Sequence, residues 1–236
     1  MPDKKLSLVD HLEELRTRVI KSLIFIAVIT CLVYNFANKI LFILVQPVGK
    51  LVFIAPAEAF ITHIKISILG GLFLSSPFVL CQIWQFVASG LELNEKKYVV
   101  IFWPLSFVFF VTGSIFCYLV IIPIGIKFLL GFATDFITPM ITIDRYISFI
   151  GMLIFSFGLI FQLPLISLFL TKIGVVTPRF LSDKRKHAIV IIFILASALT
   201  PPDVVTQCLM AVPLILLYEV GIIFSKFAYK PPYKPI

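Results

Sequence analysis

The side chains that could do chemistry are few, and their spacing limits what that chemistry can be. In SLVDHLEELRTRV (7–19), Glu14 and Arg18 stand four apart. That separation sets a carboxylate beside a guanidinium on one helix face, so spacing alone reads as an intrahelical ion pair. Glu92 and Glu95 accompany Lys96 and Lys97 in FVASGLELNEKKY and read as a solvated charge cluster. Gln162 lies in SFGLIFQLPLI, deep in an apolar run and two residues before Pro164. It suits either a hydrogen-bonded link to a neighbouring helix or a polar point lining a cavity. Thr200, Asp203 and Gln207 belong to or flank the turn TPPD, Glu219 interrupts a later apolar run as an interfacial anchor, and Lys65 is placed to snorkel. None of these sets is catalytic. His11, His63 and His187 are widely separated, and HExxH, GxSxG and a Walker loop are all missing. A membrane serine protease would need a histidine in mid-span, where this chain has none. Without a nucleotide site, any work the protein does draws its energy from elsewhere. These features exclude an enzyme and call for no cofactor or metal.

The elements that carry these residues follow from composition. Hydrophobic residues make up 60% of the 236, charged residues only 14%, and the mean hydropathy is +1.09. That leaves too little polar material to cover a soluble domain. The charges fall in bands between uncharged runs at 22–38, 66–91, 98–126, 146–171, 187–202 and 204–218. A membrane span needs about 20 apolar residues, so the first four runs qualify and the last two are short. The runs are continuously apolar rather than alternating, which selects helices over a β-barrel.

Charge sidedness gives the topology. With a cytosolic N-terminus, fifteen Lys and Arg face the cytosol, four (Lys39, Lys50, Lys127, Arg145) face outward, and Lys65 lies near a span end. This positive-inside bias puts both termini in the cytosol and requires an even number of spans, namely six. It also assigns the net charge of +8 to topology and anionic lipid, so no nucleic-acid partner is implied. Cys31, Cys81, Cys117 and Cys208 all lie in apolar runs without a CxxC and read as packing residues. No cleavable signal peptide is expected ahead of the first run.

Read in order, the chain opens with an amphipathic helix at 7–19, capped by Ser7, with Leu8, Leu12, Leu15 and Val19 on one stripe. It runs into span 1 (about 20–37), followed by an external segment broken at Pro47 and Pro56. Spans 2 and 3 (about 60–82 and 98–120) flank a cytosolic loop. The apolar external stretch 121–145 should form short capping helices, and span 4 covers about 146–171. Spans 5 and 6 (about 187–200 and 205–224) are expected to be short. The fourteen residues between Lys186 and Pro201 reach only about 21 Å, against a hydrocarbon core of roughly 30 Å. Short spans expose edges that partners can cover. No internal repeat or linker appears, so residues 1–236 read as a single domain.

Several motifs, in sequence order, resemble the TatC family of twin-arginine translocases. HLEELRTR (11–18) resembles its amino-terminal signature. SPFVLCQIWQFVASGLELNEKK (76–97), FGLIFQLPL and LTPPDVVTQCLMAVPLILLYEVGIIFSK are similar to its later motifs. The resemblance implies a glove-like bundle of six helices in the bacterial inner membrane, or a related organellar membrane. It implies a receptor for the twin-arginine signal peptides of folded precursors. It also implies assembly with TatA- and TatB-type single-span proteins, as a homo-oligomer within the Tat complex, driven by the proton-motive force. By motif position, Glu14, Glu95, Arg16, Phe86 and Pro47 would bind the signal. Gln162, Thr200, Gln207, Asp203 and Glu219 would form a polar cavity or partner-helix contact. Paired arginines present planar forks that carboxylates accept bidentately, which lysine cannot match. Two positions depart from the family pattern: Gln162 stands where a glutamate is common, and FVASGL lacks the usual proline. The first disfavours proton carriage by that residue. The competing readings are a small secondary transporter, which has no inverted repeat to support it, and a structural membrane scaffold.

Overall fold

The computed structural model describes residues 8–49, 51–134, 136, 139–199 and 203–229. Among these the regular structure is helical, with an isolated parallel bridge between Val52 and Thr142. Five helical stretches are long and apolar enough to cross a membrane: Val9–Tyr34, Pro56–Ser89, Glu95–Leu130, Ile143–Lys172 and Val204–Ala228. The helices are α1 (Leu8–Tyr34), α2 (Ala37–Val45), α3 (Pro56–Ser89), α4 (Leu93–Phe116), α5 (Ile122–Leu130), α6 (Ile143–Ile160), α7 (Leu163–Lys172), α8 (Pro178–Asp183), α9 (Arg185–Leu199) and α10 (Val204–Ala228). A π-helical turn, Cys117–Ile121, joins α4 to α5.

The boundaries differ from expectation where charged residues sit inside helices. The amphipathic segment and span 1 form one helix, and its expected cap Ser7 lies outside the described residues. Only 90–92 separate α3 from α4, so Glu95 occupies the first turn of a helix rather than a loop. Residues 122–130 continue span 3 through the π turn instead of forming a separate cap. At 15 residues, α9 is short, about 22 Å. By contrast α10 has 25 residues, or about 37 Å, and the expected short sixth span is corrected. Glu219 lies within it and pairs with Arg185 at 2.8 Å.

The chain forms two compact units. In the first (1–108 and 139–151), α1 packs antiparallel on α3. The close approach is made at glycine: a Cβ on Gly71 would sit 2.9 Å from the Thr30 Cα, and one on Gly70 would be 2.8 Å from Val33. Thr62, Ser67, Ser75 and Ser76, buried along α3, donate to carbonyls three or four residues back, so no hydroxyl is stranded in an apolar setting. The Trp84 indole donates to Ser106 at 2.6 Å, tying α3 to α4. Tyr146 donates to the Leu44 carbonyl at 2.8 Å, satisfying an open C-terminal acceptor of α2.

The second unit (109–138 and 152–236) is built on Phe110, Phe157, Leu165, Met210, Leu214 and Ile222, each nearly inaccessible. Gly113 faces Phe157 and Phe161, and Gly158 faces Phe110, so small residues admit large rings from the opposing helix. Buried Thr171 and Ser225 share a 2.6 Å hydrogen bond that fastens α7 to α10. The cysteines divide: Cys117 is buried, as expected for packing, whereas Cys31 and Cys208 are exposed on apolar helices.

Candidate functional site

At one end of the α1–α3 pair, polar groups from both helices converge on Arg18. Its Nε and Nη2 donate to Glu14 Oε1 at 2.8 and 2.5 Å. Its Nη1 donates to Gln82 Oε1 at 3.1 Å and to Gln85 Oε1 at 2.6 Å. One carboxylate and two amide oxygens thus surround a single guanidinium. The local reading of Glu14 and Arg18 as a helix pair is what the geometry holds, with α3 supplying two further acceptors. One turn along, the His11 ring stacks on Phe86 with centroids 4.3 Å apart and an interplanar angle of 18°. The His11 Nδ1 lies 3.2 Å from the Ser89 hydroxyl. A groove of about 460 Å³ opens beside this cluster, with Asp10, Glu13 and Lys21 on its walls.

Glu95 is half-buried at the start of α4, beyond the end of α3 that carries Phe86 and Ser89. Its Oε2 accepts the Glu92 backbone N–H at 3.3 Å, a local cap that leaves the carboxylate reachable. Arg16 is exposed on α1. Pro47 is placed differently. It follows α2, and the twenty residue steps of α1 from Glu14 to Tyr34 already span about 30 Å. Pro47 therefore stands at the far end of this unit, and no single contact includes both it and Glu14.

The second group of polar residues lies in the other unit. Gln162 is 7% exposed, at the break between α6 and α7 that Pro164 follows, and its Nε2 donates to the Gly158 carbonyl in the last turn of α6 at 3.4 Å. Thr200 lies outside the described residues. Asp203 caps α10, accepting the Thr206 N–H at 2.7 Å and the Thr206 hydroxyl. Those bonds hold its carboxyl below the usual carboxylate range. Gln207 donates to the Phe193 carbonyl at 3.0 Å, joining α10 to α9. Glu219 meets Arg185 fork to fork, at 2.8 and 2.9 Å. Asp203 and Gln207 thus share one end of α10, while Gln162 and Glu219 stand elsewhere.

Sequence reasoning missed Gln82 and Gln85, whose only signal was a repeated glutamine three apart on a helix that meets α1. It also missed the work of Glu58. That carboxylate accepts the Ile54 N–H at 2.8 Å and the Asp144 N–H at 3.2 Å, capping α6. Lys65, expected to snorkel, instead pairs with Asp144 at 2.5 Å and donates to Ser148 at 2.9 Å.

Comparison with known proteins adds a family to this geometry. A family model described as the Sec-independent protein translocase protein (TatC) matches residues 10–213. The Sec-independent protein translocase protein TatC of Carboxydothermus hydrogenoformans is 45% identical over 232 residues, covering 96% of each chain. Its counterpart in Aquifex aeolicus is 38% identical over 229 residues, covering 94% of this chain and 95% of that one. A crystal structure of the Twin Arginine Translocase Receptor TatC superposes with a TM-score of 0.85 at 38% identity, covering 92% of this chain and 99% of that chain.

Proposed function

Since the chain belongs to the TatC family of Sec-independent protein translocase proteins, we propose that its α1–α3 polar cluster recognises the arginines of twin-arginine signal peptides. The protein is a non-enzymatic, multi-pass translocase component of the bacterial inner membrane and a receptor of the Tat system. Membership sets aside the transporter and scaffold readings. The observation that carries the proposal is the acceptor set around Arg18: Glu14, Gln82 and Gln85 already hold a guanidinium. In this reading Glu95 receives the second arginine, Arg16 borders the site, and Phe86 starts the path of the apolar part of the signal. Pro47 is reached only by the distal part of a peptide laid along α1 and α3. Carboxylates prefer arginine to lysine here because the planar fork makes two parallel charge-assisted bonds.

Partner assembly belongs to α9 and α10 in the same proposal. A 15-residue span cannot match a bilayer alone, and Val190, Ile191 and Ile194 on it are exposed. A single-span partner helix of TatA or TatB type laid there, near Gln207, would cover that edge. Photocrosslinkers at positions 14, 86, 95 and 207 test both halves. Signal peptide should be captured at 86 and 95 and at 14, and single-span partners at 207. Signal capture at 207 alone would reject the site.

A further inference from the structure

Arg18 already holds three of the cluster's oxygens, one each from Glu14, Gln82 and Gln85. Glu14 Oε1 takes two N–H groups of Arg18, and Gln82 and Gln85 each take one, so four hydrogen bonds consume the groups that face the guanidinium. The Gln85 amide is itself oriented, its Nε2 donating to Cys81 Sγ at 3.2 Å. A second guanidinium cannot take a two-bond grip on the Glu14 carboxylate while Arg18 holds Oε1 with two N–H groups, since Arg18 leaves it only Oε2. Arg18 is nonetheless not locked in a core: the side chains of Arg18 and Glu14 keep 22% and 24% of their surface exposed. Three carbon–carbon bonds of its stem and the Cδ–Nε bond can rotate, and the adjoining groove carries further carboxylates in Asp10 and Glu13.

Resting on the reading of Glu14 as part of the signal site, we infer that Arg18 is a resident competitor, a built-in arginine that occupies the seat until a signal arginine replaces it. An arriving guanidinium regains, bond for bond, what Arg18 gives up, so exchange is easy for arginine. The displaced side chain stays among the carboxylates of the groove, which limits its loss. The cost of ejecting it lowers affinity for every ligand of the seat by one common factor. The resident thereby sets a threshold below which stray basic segments do not stay bound.

The test is peptide binding to the purified full-length protein in detergent, followed by fluorescence anisotropy. Twin-arginine and twin-lysine versions of one signal peptide are compared on wild type, Arg18→Gln, Arg18→Lys and Glu14→Ala. Removing the competitor should tighten the twin-arginine peptide about three- to tenfold in Arg18→Gln, the strength of a partly exposed ion pair with added hydrogen bonds. Arg18→Lys keeps the charge, loses the fork, and should gain less. The ratio of arginine to lysine affinities should stay unchanged, because a competitor scales both equally. A positioning role for Arg18 predicts the opposite, with weaker binding and a reduced ratio, and either result while Glu14→Ala also binds weakly overturns the inference. If Glu14→Ala binds like wild type, the site reading itself fails and the inference with it.

Discussion

Gly71 fixes how closely α1 lies on α3, and so whether Glu14 and Arg18 can meet Gln82 and Gln85. Adding one methyl in Gly71→Ala places a Cβ 2.1 Å from the Thr30 Oγ1 and 2.9 Å from the Thr30 Cα. The hydroxyl can rotate away, but the Cα belongs to the α1 backbone. Reaching ordinary contact at 3.4 Å from 2.9 Å requires the helices to part by about 0.5 Å at their crossing. Overpacking of this kind costs about 1–3 kcal/mol. For a chain of this length that lowers the unfolding midpoint by about 2–12 °C. The strain should also reach the cluster, since Gln82 lies eleven residues along α3, about 16 Å from the wedge. Signal-peptide affinity should fall with stability. Gly125→Ala in α5 is the control: nothing lies within 4 Å of its Cβ, and alanine favours helix by about 1 kcal/mol. Thermal unfolding in detergent, read by near-UV dichroism, compares the two. If Gly71→Ala melts with or above wild type, the close α1–α3 crossing does not hold.

Three further expectations concern the second unit. Gln162→Ala should cost about 1–2 kcal/mol of stability through its lost side-chain bond. It should impair export less than loss of Glu95, since Gln162 carries no charge; an export assay in cells that depend on this receptor measures both. Asp203→Ala should speed amide exchange over the first turn of α10, whereas Asp203→Asn should not. Because its carboxyl titrates below the usual range, the contribution of Asp203 is present in full at neutral pH and is lost only in acid, as pH falls through that lowered value. Gln207→Trp should break the tie to Phe193 and weaken crosslinking to single-span partners while sparing signal-peptide binding.

Apolar run length and charge bands were enough to locate the five long apolar helices, because burial in lipid leaves few alternatives for backbone polar groups. Span 4, by contrast, reads as one run over 146–171, whereas the helix breaks between Ile160 and Leu163, just before Pro164. What charge bands could not convey was pairing across long separations. Glu219 read as an interfacial anchor interrupting the sixth run, yet Arg185, thirty-four residues earlier, forks onto it and the helix continues to Ala228. Lys65 looked like a snorkelling residue until Asp144, seventy-nine residues on, received it. The same limit hid the arginine seat. Glu14 and Arg18 are a local pair that spacing finds, but Gln82 and Gln85 join them only because the Gly70–Gly71 crossing sets the register of α1 on α3. Pro47 illustrates the converse: motif order placed it with Glu14, and the length of α1 separates them.

The central claim, that rim carboxylates receive the signal arginines, is tested most directly by the affinity of Glu95→Ala for a twin-arginine signal peptide. Among the described residues the Glu95 carboxylate makes a long local bond to the Glu92 N–H, so its loss should leave the protein inserted and its stability within about 1 kcal/mol of wild type. Removing one partner of a desolvated, hydrogen-bonded charge pair costs about 2–5 kcal/mol, some 30-fold to several thousandfold in affinity. Glu95→Gln should fall between, keeping an acceptor and losing the charge. The account predicts that loss on a folded protein; an alanine variant that binds the peptide as tightly as wild type would contradict it.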